Sequence, residues 1–425
     1  ALTDGLKPSQ RKIIYTAFLK NLTNKDREIR VSQFAGMIST ETMYHHGEVS
    51  LEGAIVNLAQ HFVGSNNINL LVDDGMFGSR NQGGNDSAAS RYIQTYLSDY
   101  AKQMFSNDDN DILEYLYDEG QKIEPKTLLP ILPLLLINGS TGIGTGWSTN
   151  IPCFNTNDII AYIKAKLTDK PTPKVHVFYN GFKGQIKESK DSFETYGVIT
   201  QTKSGYSITE LPIQVWTEDY KTYLVQLIEK SQIKNYEEHH ENGNLRFEII
   251  MTPNQRTAVK DPIEFFKLKN KFSLKNMTCW VPSSDTDSLK INVFTSVYDI
   301  LDTWITWRLN EFMKRKNSMI AKINAKSKQL ENIIRFITSV IKKQLIVFER
   351  KVNDVVKDLI KMKFDEINGS YDYLLNLRVQ VFTEEQIQKL QTEYNTLQTQ
   401  LKTIMSKTES DLFVEDIDSF AKIIS

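Results

Sequence analysis

Cysteine is nearly absent from this chain of 425 residues. Its two cysteines, Cys153 and Cys279, lie far apart in the sequence. They are too few for a disulfide framework or a zinc site built from cysteines. The sequence therefore indicates a protein of a reducing compartment.

Long apolar runs are also missing. A helix that spans a bilayer needs about 18 or more consecutive apolar residues, and the most apolar stretch, residues 128–137, is interrupted by Pro130 and Pro133. A composition of 40% apolar and 24% charged residues is typical of a globular protein. We therefore expect no membrane partner.

An excess of positive charge is the third feature that the chain lacks, because its formal net charge is -1. Phosphate affinity depends on local rather than total charge, and basic residues are frequent near the N-terminus: Lys7, Arg11, Lys12, Lys20, Lys25, Arg27 and Arg30. Lys7 and Arg11 are four positions apart on a predicted helix, so they can contact adjacent phosphates. A solvated basic face is the alternative.

The length predicts two or three domains, and the first should contain short helices. Pro8 is suited to the first turn of a helix. Further segments with helical spacing are residues 31–38, 47–62 and 96–104. Three close helices with basic residues are typical of a helix-turn-helix or winged-helix unit, and a short strand and turn over 70–78 would suit a wing.

The middle of the chain alternates apolar and polar residues. After a predicted helix over 156–168, the alternating segments are residues 174–179, 184–187, 196–202, 206–210 and 245–251. A period of two with glycine at the turns predicts an antiparallel sheet, and residues 217–231 predict a helix. This region should be a mixed α/β domain.

The last third predicts long helices. Ser296 is a suitable N-cap for a helix that continues to about residue 348, and a capping box at 383–386 begins another. The apolar residues of this later helix repeat at spacings of three and four: Ile387, Leu390, Tyr394, Leu397, Leu401 and Ile404. Such a heptad pattern predicts a long antiparallel pair with the earlier helix. Residues 371–382 would then lie at the far end of the pair.

Arg91 and Tyr92 follow the small-residue segment GGNDSAAS (residues 83–90), where we expect a loop to give way to a helix. A phenol attacks poorly at neutral pH unless a cation or metal stabilises the phenolate. Arginine offers a permanent charge whose fork fits two phosphate oxygens, and the two glycines would let the chain approach a bulky polyanion. The dipeptide alone favours a simpler interpretation, a surface arginine beside a half-buried tyrosine.

The flanking motifs reverse that preference, because they resemble type IIA DNA topoisomerases in the order of that family. They are LTDGLKPSQRK (residues 2–12), YHHGE (44–48), NLAQHFVGSNN (57–67) and LPLLLINGSTGIGTGWST (132–149). Beyond residue 152 the motifs become thinner, although YDYLLNLR (371–378) is similar to the C-terminal gate of the family. The motifs are more similar to the eukaryotic and large-DNA-virus enzymes than to bacterial gyrase.

The resemblance implies three catalytic residues. Tyr92 would attack a DNA phosphodiester and Arg91 would stabilise the pentavalent phosphate. His46 would face the scissile phosphate and donate a hydrogen bond or move a proton. His45 and His46 are adjacent and therefore point in different directions, so we reject a zinc site at this pair.

The same resemblance implies that Lys7, Arg11 and Lys12 contact the DNA backbone and that Ile143 is a wedge between base pairs. Ile143 lies among glycines after an expected apolar strand, and an apolar side chain on a tight loop can unstack one base step and bend the duplex. The glycine spacing matches neither a dinucleotide fingerprint nor a Walker loop. A core isoleucine is the alternative.

No metal site is expected within this sequence. The acidic runs at 73–74 and 108–111 lack the pattern of the Mg²⁺-binding domain of the family. The resemblance therefore implies that the ligands of Mg²⁺ and the ATP-binding module lie outside this chain. The sequence begins inside a motif, so we expect a fragment of a longer polypeptide.

The patterns predict an α+β multidomain protein. With the resemblance, they imply a winged-helix DNA-cleavage domain (1–132), a mixed α/β tower (133–295), and a coiled coil with a small helical dimerisation tip (296–425). The implied function is the breakage-reunion core of an ATP-dependent type II DNA topoisomerase. Its partners would be double-stranded DNA and a second copy of the chain. Its location would be the nucleus, or the host nucleus or cytoplasm for a viral enzyme. The alternative is a non-catalytic architectural DNA-binding protein.

Overall fold

The computed structural model describes residues 1–144, 146–240, 244–282 and 289–424, so Thr145 of the glycine motif lies outside the described residues. The chain forms two compact units. The first comprises Ala1–Leu309 with Phe413–Ser425, and the second comprises Asn310–Leu412. The finer division at residues 132 and 295 stays a prediction.

Helices dominate the first 170 residues, and their bounds are α1 Pro8–Leu19, α2 Val31–Thr42, α3 Glu48–Ala59, α4 Asp99–Met104, α5 Leu134–Ile137 and α6 Thr156–Leu167. The predictions for α1, α2, α3 and α6 are confirmed. The first three helices pack on one another through buried apolar residues, among them Ile13, Phe34 and Ile55. Helix α4 begins later than predicted because Ser98 caps it, its side chain accepting the N–H of Ala101.

Short antiparallel pairs of strands lie between these helices. Their bounds are β1 Ile29–Arg30, β2 Gln94–Thr95, β3 Tyr115–Asp118, β4 Gln121–Pro125, β5 Ser140–Gly144 and β6 Trp147–Ile151, and the pairs are β1 with β2, β3 with β4, and β5 with β6. The strand predicted within 70–78 does not form. That segment contributes only isolated bridges, from Leu71 to Leu97 and from Asp74 to Gln94.

The middle of the chain is a set of antiparallel sheets with helices, as predicted. The strands are β7 Gln185–Glu188, β8 Ser192–Tyr196, β9 Val198–Gln201, β10 Gly205–Glu210, β11 Asn235–Glu238, β12 Phe247–Ile250, β13 Lys269–Ser273, β14 Met277–Pro282 and β15 Leu289–Phe294. The helices are α7 Thr217–Glu229, α8 Pro253–Ala258 and α9 Pro262–Phe265. The sheet orders are β11-β12-β10-β9, β13-β8-β7 and β14-β15. The predicted strand at 174–179 is replaced by a single bridge, from Val177 to Phe154.

The core of this middle region lies between the four-stranded sheet and α7. Apolar side chains of β10 and β12 alternate inward and pack on one face of α7, as Ile208, Phe247 and Leu224 illustrate. The period-two pattern therefore correctly identified the buried face of the sheet. Burial of this face fixes the register of the strands, because a shift by one residue would expose it.

The C-terminal helices are α10 Val297–Ile341, α11 Val352–Lys361, α12 Asp372–Leu375, α13 Glu384–Ser406 and α14 Glu409–Ile424. Short 3-10 turns occur at Lys25–Arg27, Asn107–Ile112 and Val379–Val381. The capping prediction for α13 is confirmed, since the Thr383 side chain accepts the N–H of Gln386. Helix α10 ends before residue 348, and Lys343 beyond it has a left-handed φ of 57°.

Two ion pairs within the second unit show how its long helices run relative to one another. Lys326 lies 2.9 Å from Glu393, and Lys316 lies 3.3 Å from Glu409. Lys326 of α10 thus meets α13, whereas the earlier Lys316 meets the first residue of α14, so α13 and the start of α14 run antiparallel to α10. Beyond them a separate apolar cluster is formed by Phe336, Leu345, Leu359, Phe364, Tyr371 and Leu374.

None of the described helices is both long enough and apolar enough to cross a bilayer.

Candidate functional site

Tyr92 lies on the surface of the first unit with 71% of the residue exposed. The guanidinium carbon of Arg91 is 4.9 Å from the centroid of its ring, in cation–π geometry. The backbone N–H of Tyr92 donates to the carbonyl of Ala89 at 2.9 Å, which closes a tight turn. The two side chains thus project from a short turn where a large ligand can reach both.

The turn is held by α2 and α3. The N–H of Val31 donates to the carbonyl of Ile93 at 3.1 Å. The hydroxyl of Ser90 donates to Glu52 of α3 at 2.8 Å. Residues on both sides of the dipeptide are therefore anchored, whereas the dipeptide itself faces outward. The expected change from loop directly into helix is wrong: β2 follows Tyr92, because the chain pairs with β1 before α4 begins.

The glycines before Tyr92 approach protein atoms rather than open space. Gly83 and Gly84 have left-handed φ values of 61° and 87°. A Cβ on Gly83 would come within 2.5 Å of the Trp216 ring, and one on Gly84 would collide with Gln60. The amide of Gln60 donates to the carbonyls of Phe77 at 2.8 Å and Gly84 at 3.2 Å. The expectation that these glycines admit a polyanion is thus corrected: they let the loop pack closely on α3 and on Trp216.

His46 is exposed at the N-terminal end of α3, in the loop that leads from α2. Its ring is contacted edge-on by Tyr44, with ring centroids 5.3 Å apart. The adjacent His45 pairs elsewhere, with Nε2 2.9 Å from a carboxylate oxygen of Asp118. His46 and Tyr92 belong to segments that the Ser90–Glu52 hydrogen bond connects.

The three basic residues predicted on α1 have different environments. Lys7 is the N-cap of α1 and is exposed, and its backbone N–H is bound by the side chain of Gln10 at 2.9 Å. Lys7 lines one surface pocket together with Ile143 and Trp147. The structure therefore brings Lys7 and Ile143 to the same face of the first unit.

Arg11 does not share the exposure of Lys7. Its guanidinium makes a two-point contact with the fully buried Asp4, at 2.5 and 3.1 Å. The same carboxylate accepts the N–H groups of Leu6 and Leu128, both at 3.1 Å. The expected shared phosphate-binding face of Lys7 and Arg11 is therefore corrected, because the Arg11 charge is already satisfied inside the protein.

The charge of Lys12, like that of Arg11, is also paired within the protein. Its ammonium donates to Glu124 on β4 and to the carbonyl of Thr42 at the end of α2, both at 2.8 Å. Only 14% of the side chain is exposed. This lysine joins three elements, and its predicted backbone contact with DNA has no support in this geometry.

Ile143 is 95% exposed on the β5–β6 hairpin, so the alternative of a core isoleucine is wrong. The expected apolar strand before the glycines is wrong: these residues form the single turn α5, closed by the N–H groups of Leu136 and Ile137, which donate to the Pro133 carbonyl. Trp147 pairs with Gly144 across the hairpin and is 51% exposed. Trp147 was not among the predicted site residues, and its place beside Lys7 and Ile143 in the same surface pocket makes it a further candidate.

Three carboxylates of the acidic runs considered for a metal already have side-chain partners. Asp73 lies 3.3 Å from His61, and Asp74 lies 3.0 Å from Lys25. Asp109 lies 2.6 Å from the buried Arg308. Among the described residues, no three His, Cys, Asp or Glu side chains form a cluster that could hold a metal ion. The residues described therefore do not fit a Mg²⁺ site, and no catalytic step is assigned to an ion here.

The family model that describes the A subunits of DNA gyrase and topoisomerase IV matches residues 1–418. The chain belongs to this family. The match covers nearly the whole sequence, which confirms the resemblance found in the motifs.

Relatives of this member of the DNA gyrase/topoisomerase IV family include the mitochondrial DNA topoisomerase 2 of Dictyostelium discoideum, 36% identical over 100% of this chain and 33% of that protein. DNA topoisomerase 2 of Saccharomyces cerevisiae is 33% identical over 98% of this chain and 33% of its own length. The chain therefore spans about a third of these curated relatives.

A solved structure extends the similarity to the fold. The DNA-binding, cleavage and re-ligation domain of Plasmodium falciparum topoisomerase II is 35% identical, with a TM-score of 0.89 over 100% of this chain and 61% of that chain. The mixed α/β architecture of this chain therefore matches part of that cleavage domain.

Proposed function

We propose that this chain is the DNA breakage-reunion part of a type II DNA topoisomerase. The observation that carries the proposal is the exposed Tyr92 on an anchored turn, with the Arg91 guanidinium over its ring. A reactive phenol must be accessible to a duplex and close to a fixed cation. Family membership favours this catalytic role over a purely architectural one.

In the proposed reaction the Tyr92 oxygen attacks a backbone phosphorus. A tyrosyl–phosphate bond forms and the bond to the 3′ oxygen breaks, which leaves a 5′-phosphotyrosyl link and a free 3′ hydroxyl. The phenolic proton is lost and the leaving oxygen gains one, so the step is balanced. Because the new link is also a phosphodiester, religation needs no additional energy. Arg91 would stabilise charge on the non-bridging oxygens, and His46 would act near the same phosphate.

The surrounding elements would hold the duplex. We infer that α1, α2 and α3 with their short strands form a winged-helix cleavage domain, and that the middle sheets form the tower. Lys7 would contact the backbone, and the exposed Ile143 would enter a base step and bend the DNA. Arg11 and Lys12 would support this surface from within rather than touch phosphate.

The second unit would complete a homodimer. We infer that its antiparallel helices form a coiled coil whose apolar end cluster belongs to the C-terminal gate, where two copies meet and a transported duplex leaves. Magnesium and ATP would be bound by segments outside this chain, so relaxation and decatenation belong to the complete protein. We infer a nuclear location, or the host nucleus or cytoplasm for a viral enzyme; the mitochondrial protein among the relatives shows that members of this group also work elsewhere.

The proposal is tested by covalent capture in the full-length protein. A Tyr92→Phe variant should bind duplex DNA with unchanged affinity and yield no protein-linked DNA. Tyr117→Phe is the matched control, because Tyr117 is also 68% exposed but lies on β3; it should give the normal yield. Equal yields of linked DNA from the wild type and Tyr92→Phe would eliminate the catalytic role and favour an architectural protein.

A further inference from the structure

An exposed pair, His45 with Asp118, connects the His46 loop to a neighbouring hairpin. His45 lies in the loop between α2 and α3, and its Nε2 is 2.9 Å from Oδ2 of Asp118. Asp118 is the last residue of β3. It stands immediately before the turn at Glu119 and Gly120, whose φ values of 48° and 80° make a tight hairpin. None of the roles assigned above uses this contact.

The hairpin is a firm support rather than a mobile arm. Its second strand carries Glu124, which is bound by Lys12 at 2.8 Å. Lys12 also binds the carbonyl of Thr42, the last residue of α2. The hairpin is therefore fixed to the helix end from which the His46 loop begins. Asp118 thus offers His45 a fixed acceptor.

Restraint of His45 also restrains His46. Neighbouring residues share a peptide plane and project in different directions, so a fixed side chain at one position limits the backbone torsions that aim the next. The His46 ring is further limited by the edge-on contact with Tyr44. The side chains of His45 and Asp118 are 70% and 34% exposed. Such exposed pairs contribute little to the stability of the fold. The contact is therefore better suited to orientation than to folding.

We propose that His45 and Asp118 form a hydrogen-bonded clamp that aims His46 at the phosphate attacked by Tyr92. This inference rests on the proposed function. Both are positioning residues, since they act through His46. The clamp needs an oxygen that accepts from the imidazole N–H, and either a carboxylate or a side-chain amide provides one. Asp118→Asn should therefore preserve the clamp, and Asp118→Ala should remove it.

The test measures the single-turnover rate of protein-linked DNA formation by the full-length protein at saturating duplex. Asp118→Ala should be about 10- to 100-fold slower, the cost typical of a misplaced catalytic group. Asp118→Asn should remain within about threefold of the wild type, because the acceptor is kept. Duplex affinity and the thermal midpoint should not change in either variant. Glu114→Ala is the matched control, because it removes an exposed carboxylate paired with Lys126 near the same hairpin.

A second measurement distinguishes orientation from general damage. In a His46→Ala background, Asp118→Ala should cause no further loss of rate, because the clamp acts only through His46. An additive loss would overturn the proposal, as would an Asp118→Ala variant with the wild-type rate, or an Asp118→Asn variant as slow as Asp118→Ala. Absence of linked DNA from the wild type would instead overturn the proposed function itself.

Discussion

The guanidinium of Arg91 lies beside the ring of Tyr92, 4.9 Å from its centroid, and both side chains are exposed. This geometry gives the first prediction. Arg91→Ala should slow DNA cleavage by about 10²- to 10³-fold, as loss of a transition-state donor does. The cleavage rate of Arg91→Lys should lie between those of the wild type and Arg91→Ala, because lysine keeps the charge but loses the fork that matches phosphate. Quench-flow capture of linked DNA measures both rates.

The thermal midpoint should not change in either Arg91 variant, since the side chain is exposed. Arg246→Ala, which removes an exposed arginine paired with Glu248 in the middle region, is the control and should cleave normally. An Arg91→Ala protein that cleaves as fast as the wild type would contradict the role of this cation.

Ile143 supplies the second prediction. It is 95% exposed, so Ile143→Ala should leave protein stability within about 0.5 kcal/mol of the wild type. Without the apolar wedge, however, the duplex should bend less and be cleaved more slowly. Fluorescence energy transfer between dyes at the two duplex ends measures the bend. An unchanged bend and an unchanged cleavage rate would together exclude the wedge.

Local signals explain why many helices could be predicted from sequence. Pro8 at the start of α1 and Thr383 at the start of α13 act within one helical turn, so their effect can be read from neighbouring residues alone. The apolar spacing that follows each of them then gives the face that is buried. The exposed Tyr92, by contrast, became interpretable only through the family motifs around it.

The environments of Arg11 and Lys12 could not be predicted in this way. The acid that pairs with Lys12 lies 112 positions away. Asp4 is only seven positions from Arg11, but its burial depends on Leu128 and on the rest of the core. Whether a cation contacts solvent, DNA or a buried acid is decided by packing between distant segments, which spacing along one helix does not reveal.

The Arg11–Asp4 pair leads to the third prediction. Asp4→Ala should destabilise the first unit by about 3–5 kcal/mol, because it leaves a buried guanidinium without a partner and removes the acceptor of two backbone N–H groups. Urea unfolding followed by tryptophan fluorescence measures this loss. Lys275→Ala, which breaks an exposed pair with Asp191, should unfold at the wild-type urea concentration. A small effect of Asp4→Ala would mean that the pair is not buried in solution.

Gly84 provides the fourth prediction. Its φ of 87° and the closeness of Gln60 leave no space for a Cβ. Gly84→Ala should therefore displace the Gln60 amide from the carbonyls of Phe77 and Gly84 and loosen the segment before Tyr92, at a cost above about 1 kcal/mol. Hydrogen exchange should accelerate across residues 77–90. Ala88→Gly is the control, because it changes the size of a side chain in the same segment without a steric conflict. Unaltered hydrogen exchange in Gly84→Ala would contradict the close packing of Gly84 on Gln60.

The fifth prediction concerns acid stability of the second unit. The carboxylate of Asp365 lies 2.9 Å from Lys328 and accepts the side-chain N–H of Asn332, also at 2.9 Å. The hydrogen bond from Lys328, followed by that from Asn332, holds the pKa of Asp365 below its usual value. A carboxyl whose folded pKa is lowered stabilises the fold fully above its unfolded pKa of about 4 and loses this contribution as the pH falls through the lower folded value. Hydrogen exchange of residues 352–375 should therefore be faster in Asp365→Asn than in the wild type at pH 7, and the difference should disappear in acid. A difference that persists unchanged at low pH would show that the effect of Asp365 does not come from its charge.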